Sequence, residues 1–478
     1  MKSIFNKFWV LTILVAGLTI SSCSDVTELN VDPNSPTAVP ASNLVTQAQF
    51  SLYNLMHSRG VNAEWSMLMV QHWSQNEYAE ESRYLVDANS FNGTWTSFYA
   101  SALNELSVAR NLVANDGNLP DAIKTNQLAV IDIMVSDAFQ SATDFWGSIP
   151  YSQAINPEFS NPEYDSQQSI YTALLAKLDA AVASIDASAG SFSSGDIIYN
   201  GDAASWKRFG ASLLMRMAMR VSDADGALAS EYVNKAAGHG VITSNAENAL
   251  FAFDAANPDL SNPLYVDNVI NNRDDFAVSD VLVNTLTDMG DPRLDVFSTV
   301  NNDGVHRGMP YGLTDAEAFA LKSVTSRPSA LVRSAGNPHV VMDHAEVAFM
   351  TAEAIERGFL SGDAAGAYAA GVTSSMNFWG IADGIDGYLA ANPYSSGNWD
   401  EVIGTQKWIA FYMNGPQAWA EWRRLGYPEL AVPAAASNPS IPVRLPYPIS
   451  EDTNNGSSID AVTSDINDLN TRVWWDVD

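Results

Sequence analysis

Cysteine is almost absent: Cys23 is the single thiol in 478 residues. No internal disulfide can brace such a chain, and no cysteine-based metal site can form within it. Basic residues are scarce as well, 24 against 55 carboxylates, giving a formal net charge of −31. That field repels phosphate backbones and anionic bilayer surfaces, which argues against nucleic acid as a partner. Past Ile20 there is no apolar run of spanning length, which would need about 20 residues. Catalytic signatures are missing too: there is no nucleophile elbow and no phosphate-cradling glycine loop. The six histidines are scattered; His344 and Glu346 share a helix start without a second histidine at zincin spacing. Asp223-Ala224-Asp225-Gly226 is too short a match to a calcium loop, so no cofactor or metal is expected, although a structural Ca²⁺ that stiffens a loop stays open.

The first residues form an export signal. Lys2 and Lys7 give a positive start, Phe8 to Ile20 is a short apolar run, and small residues lead into Cys23. The run is too short to span a bilayer and reads as a leader that is removed. Ile20-Ser21-Ser22-Cys23 resembles a bacterial lipobox, in which the cysteine is acylated and becomes the first mature residue. A lone thiol in an exported chain fits that reading, because it has no partner to pair with. The expected layout is therefore a leader over 1–22, a lipidated tether over 23–43 carrying Pro33, Pro36 and Pro40, and one body over 44–478. The hydrophobic share of 46% suits a globular body, and no linker divides it.

Within that body the dominant period is 3.6 residues, which predicts amphipathic helices. Leu128, Ile131, Val135, Ala138 and Ala142 make one stripe in 124–142. Ile170, Leu174, Leu178, Val182 and Ile185 make another in 166–187. A third helix over 203–221 follows Gly201-Asp202, a capping pair. It carries Trp206, Phe209, Leu213, Arg216 and Arg220 on one side. Both arginines should then face inward and need acidic partners, with Asp132 and Asp137 as candidates. Over 345–379 two stripes, broken at Ser361-Gly362-Asp363, read as a tetratricopeptide-like helix pair with small residues at the crossing. The stretch 244–343, rich in Asn, Asp, Gly and Pro, reads as long loops, where function usually resides.

Aromatic residues supply the site hypothesis. Residues 65–99 hold Trp65, Trp73, Tyr78, Tyr84, Phe91, Trp95, Phe98 and Tyr99, interleaved with Asn76, Glu77, Glu81, Arg83, Asp87, Asn89 and Asn92. Sugar rings stack their C–H faces on aromatic rings while their hydroxyls need amide and carboxylate partners. Trp65, Phe98 and Tyr99 fall within helical patterns and read as core. Trp73, Tyr78, Tyr84 and Trp95 are the expected stacking platforms. Asn262, Tyr265, Arg273 and Asp274, from the loop-rich stretch, are the expected polar or clamping partners. The 55 acidic residues leave a paired-carboxylate hydrolase or lyase on a helical toroid as an alternative.

Several segments stand in a recognisable order. They are Leu29-Asn30-Val31-Asp32-Pro33-Asn34, Asp144-Phe145-Trp146-Gly147-Ser148-Ile149-Pro150-Tyr151-Ser152, Trp206-Lys207-Arg208-Phe209 running on to Arg220, Asn262-Pro263-Leu264-Tyr265 and Asp291-Pro292-Arg293-Leu294. Later come Gln406-Lys407-Trp408, Ala418-Trp419, Arg423-Arg424-Leu425-Gly426-Tyr427-Pro428, Arg444-Leu445-Pro446-Tyr447-Pro448 and Val473-Trp474-Trp475-Asp476. In this order they resemble the SusD/RagB-like outer-membrane nutrient-binding lipoproteins. The resemblance implies a mainly α fold of tetratricopeptide-like pairs with a long, loop-rich ligand face. It implies a surface lipoprotein of the outer membrane, anchored through Cys23, that binds oligosaccharide without catalysis. It also implies a SusC-like TonB-dependent transporter as partner, with a peptide-binding member of the same family as the alternative.

Overall fold

A computed structural model describes residues 39–477. The leader 1–22, Cys23 and most of the tether lie outside the described residues. Ala41 to Asn43, expected in the tether, instead open the first helix, α1 (Ala41–Met56). It is followed by α2 (Asn104–Asn115), α3 (Asp121–Trp146), α4 (Gln167–Ser184), α5 (Ala203–Arg220) and α6 (Gly226–His239). Capping side chains start the middle helices where the sequence allows: Ser166 accepts from Ser169 N, Asp202 from Ser205 N and Asp225 from Leu228 N. Successive helices pack on one another, α3 on α4, α4 on α5 and α5 on α6. Gly210 lets these helices approach: a Cβ there would lie 2.6 Å from Val182 Cγ2 and 2.8 Å from Ile133 Cδ1, so a larger residue would force the α3–α4–α5 packing to shift.

The second half adds α7 (Asp280–Asp288), α8 (Asp315–Leu321), α9 (His344–Glu356), α10 (Ala364–Phe378), α11 (Trp399–Ala410) and α12 (Gly415–Leu425). The pair α9–α10 is the expected tetratricopeptide-like hairpin, with Gly371 against the Phe349 ring at its crossing. The fold is mainly α. Three two-stranded antiparallel sheets punctuate it: β1 (Trp73–Gln75) with β5 (Phe276–Val278), β2 (Ile149–Pro150) with β3 (Tyr164–Asp165), and β4 (Ala249–Phe251) with β6 (His339–Met342). The stretch 244–343 is thus more regular than loops. Its pieces, three to nine residues long, are too short to establish a period.

Buried charge ties the halves of this body together. Arg216 and Arg220 do face inward. Arg216 forms a two-pronged pair with Glu346 of α9, Nε to Oε1 and Nη2 to Oε2 both at 2.6 Å, and donates to Val341 O at 2.7 Å. Asp137 stands 3.7 Å from its Nη1. Arg220 donates to Gln417 and approaches Glu421 and Asp144. Asp132 is not a partner of either. It lies five positions before Asp137, about 140° around α3, and there it meets Arg110 and Lys177. The late arginine motif is equally structural: Arg424 clasps Glu353 and Glu421, and Lys407 joins the same carboxylates.

Buried histidines make this core sensitive to acid. Burial pushes His57 and His72 down to about 3 and His339 well below its ordinary value. The unfolded chain protonates all three below about 6.5, so their contribution is present above that pH and is lost as pH falls. Asp137 and Asp343 run the other way, pushed up by burial to about 6 and about 7. The native state keeps those two protons where the unfolded chain releases them, down to about pH 4. Between about pH 6 and 4 these two carboxyls offset part of what the three histidines lose, so the fall in stability there is shallow. Below about pH 4 the opposition ends. Burial pushes Glu353 up, but Arg424, Lys407 and Arg357 outweigh it and hold it at about 2, which adds to the loss. The urea midpoint should therefore decline gently from pH 6.5 to 4 and then drop steeply. A midpoint constant down to pH 3.5 would contradict this.

Candidate functional site

The sheet β1–β5 joins the two segments that the sequence put forward. Trp73 pairs with Val278 and Gln75 with Phe276, and Asn76 N extends the ladder to Asp275 O at 2.8 Å. The segment 76–84 and the segment 262–275 therefore emerge side by side. Tyr78 stands at the tip of the first, 60% exposed and in the left-handed region at φ +54°. Arg273, from the second, lies over its ring with the guanidinium carbon 5.3 Å from the centroid. Asp275 fixes Arg273 by two contacts, Nε to Oδ2 at 2.7 Å and Nη2 to Oδ2 at 2.5 Å. Arg59 backs the same carboxylates, reaching Asp267 at 2.7 Å and Asp275 at 2.8 Å. Burial pulls the Arg59 guanidinium down, yet Glu64, Asp267 and Asp275 outweigh it and hold it above its ordinary value. Asp274 accepts from Arg327 at 2.7 and 3.1 Å and faces Lys322 at 3.6 Å.

The other expected platforms are core. Trp73 has no exposure; its Nε1 donates to Tyr412 Oη at 2.9 Å and its ring packs on Phe276. All three positions of β1 are buried, so a residue there has no outward face. Tyr84 is turned inward by a left-handed backbone, and burial pushes its hydroxyl up to about 12. Trp95 is enclosed by Tyr99, Trp146, Tyr164 and Tyr447. Asn262 is also committed. Its Oδ1 caps the turn Pro263–Tyr265, and its Nδ2 donates to Asn337 O and meets His57 Nε2. Tyr265 sits half-buried within that turn. The structure thus brings Tyr78, Arg273 and Asp274 together, with Tyr265 nearby in sequence, and withdraws Trp73, Tyr84, Trp95 and Asn262.

Comparison with known proteins gives this arrangement its setting. The family described as starch-binding proteins associating with the outer membrane, SusD-like, is matched over residues 33–448. The chain belongs to the SusD-like family. Among solved structures it resembles a chitin-binding protein at 28% identity and a TM-score of 0.81, over 92% of this chain and 100% of that one. A chitin-binding SusD homolog from Flavobacterium johnsoniae aligns at 24% identity and a TM-score of 0.80, over 91% and 99%. A SusD homolog from Bacteroides uniformis aligns at 24% identity and 0.80, over 92% and 100%. No match was found among curated proteins.

In this SusD-like chain an exposed aromatic tied to the Tyr78 segment escaped the sequence reading. Phe319 of α8 is 63% exposed. The Thr314–Glu317 capping box starts that helix, and both ends of it are tied to the Tyr78 segment: Asp315 Oδ1 accepts from Ala79 N at 2.6 Å, and Lys322 Nζ donates to Glu77 at 2.8 Å. Asp315, Phe319 and Lys322 are spaced i, i+4, i+7 and so share one helical face. Phe319 is therefore on the side of α8 that meets the loop bearing Tyr78. The readable signal was that spacing, with Phe319 five residues after the N-cap Thr314, in a stretch assigned to loops. Two exposed rings, a guanidinium and several carboxylates held in place by ion pairs make a surface suited to stacking and hydroxyl recognition.

Proposed function

We propose that this protein is a lipid-anchored, surface-exposed outer-membrane protein that captures oligosaccharide and passes it to a TonB-dependent transporter. The carrying observation is the rigidly backed Tyr78–Arg273 platform beside Phe319. It supplies open aromatic faces and fixed polar groups where two loops and a helix meet. Family membership supports glycan as the ligand class, and the chitin-binding relatives favour β-linked N-acetylated sugars within it. The carboxyls pushed up furthest, Asp137 and Asp343, lie in the core, at 4% and 8% exposure, beside Arg216 and at a helix N-cap. Neither can reach a glycosidic bond, which supports binding over hydrolysis. Calorimetric titration with chito-oligosaccharides and malto-oligosaccharides, with product analysis of each mixture, tests the reading. Saturable binding of one series without cleavage is expected. Turnover, or no saturable binding of any glycan on a broad panel, would overturn it. Co-purification with the transporter tests the delivery step.

A further inference from the structure

A second cavity, built apart from the Tyr78 platform, lies between α2, α3, α4 and the loop after β2. It has a volume of about 300 Å³, at the small end of ligand pockets. Leu103, Leu106, Val135, Phe139 and Ile155 give it an apolar floor and wall. Its outer wall is the end of the Ile149-Pro150-Tyr151-Ser152 motif, whose role the platform does not explain. Asp165 holds that wall by accepting from Tyr151 N at 3.0 Å and Ser152 N at 2.8 Å, and Tyr99 Oη donates to Pro150 O at 2.8 Å. Ile155, a β-branched residue, sits at φ +56°, a costly conformation that places its side chain in the lining. At the rim stand Arg110 and Lys177. Both are anchored to one carboxylate, Asp132, which takes Arg110 Nε at 3.0 Å and Nη2 at 3.3 Å and Lys177 Nζ at 3.1 Å.

At this rim two cations share the single carboxylate of Asp132, in a chain whose net charge is −31, while the wall carboxylate Asp165 is turned to Tyr151 N, Ser152 N and Ser152 Oγ. The Nη1 edge of Arg110 lies outside the Asp132 pair, and an ammonium has three donors, so both rim cations can take a second acceptor. We infer that this cavity binds an amphiphilic monoanion, an aliphatic carboxylate whose chain fills the apolar floor and whose head group meets Arg110 and Lys177. The site is independent of the glycan reading.

Titration of the mature chain with decanoate and with 1-decanol tests it. Decanoate should bind saturably, one per chain. Ser107→Trp, which fills the cavity from its polar side, should weaken both probes by at least about tenfold, a change of about 1.4 kcal/mol. Arg110→Gln combined with Lys177→Gln should weaken decanoate by about tenfold while changing decanol less than about threefold. These rim side chains are 45% and 34% exposed, so the paired variant tests the head-group contact without touching the core. Glycan titrations should be unchanged in each variant. Non-saturable uptake of decanoate, equal affinity in the Ser107→Trp chain, or equal losses for decanoate and decanol at the rim variant would each overturn the assignment.

Discussion

Arg216→Met is expected to destabilise the protein by about 3–5 kcal/mol, the usual cost of removing one member of a buried ion pair. Arg216 is 2% exposed and is the shared counter-charge of Glu346 and Asp137. Methionine fills the stem volume but leaves the buried Glu346 carboxyl without its counter-charge and Val341 O without its donor. Asp137 has a cheaper response. Burial already pushes it up to about 6, with Arg216 pulling the other way, so in the variant it takes up a proton near neutral pH. The decisive comparison is the double variant Arg216→Met with Glu346→Met. Removing both ions removes the stranded charge, so the pair should recover most of the single variant's loss. Urea unfolding of the two single variants and the double one reads this directly. A single Arg216→Met chain with an unchanged midpoint, or a double variant no better than the sum of the singles, would mean that the pair does not organise the core.

The same residues show where sequence reading reaches and where it stops. That Arg216 and Arg220 face inward follows from their place on the Trp206–Leu213 stripe, and α5 is indeed buried along that side. Which carboxylate meets them does not follow. Asp132 and Asp137 are on one helix, and only the packing of α3 shows that one points to Arg216 and the other to Arg110 and Lys177. Glu346 is 130 positions away, in a helix whose stripe was legible but whose docking was not. The long helices α3, α4, α5, α9 and α10 were visible because their apolar stripes span several turns. The aromatic segment 65–99 was harder for a specific reason. It is flanked and filled by π-helical turns, Arg59–Ser66 and Ser97–Leu103, and by three-residue pieces, so neither the 3.6 nor the 2.0 period applies. Aromatic content there correctly marked an important region, yet it could not separate Tyr78, which points out, from Trp73, Tyr84 and Trp95, which point in. Pairing of β1 with β5 buries Trp73 and leaves Tyr78 at the tip of the segment that follows, and it joins positions far apart in the chain, Trp73 with Val278.

Tyr78→Ala is expected to weaken oligosaccharide binding by about 10- to 100-fold, which corresponds to roughly 1.4–2.8 kcal/mol. An exposed tyrosine on a left-handed backbone is an unusual investment: the conformation itself is costly for a residue with a Cβ, and an open ring contributes little to folding. Alanine keeps the Cβ, so the backbone cost is unchanged and the substitution isolates the ring. Arg273 covers one face of that ring and is itself pinned by Asp275, so the other face is presented in a fixed orientation at small entropic cost. Phe319→Ala should cost less, since Phe319 lacks such a backing, and the two substitutions should combine less than additively if one ligand spans both rings. Trp95→Phe is the contrasting variant. Trp95 is 6% exposed and wedged among four aromatic rings, so it should lower the unfolding midpoint while leaving affinity within about twofold. Calorimetry on the best-bound glycan of a panel, run beside thermal melts, separates the two effects. Undiminished affinity in Tyr78→Ala would move the binding face away from the β1–β5 edge. Lost affinity in Trp95→Phe at full stability would restore the buried aromatics as ligand contacts.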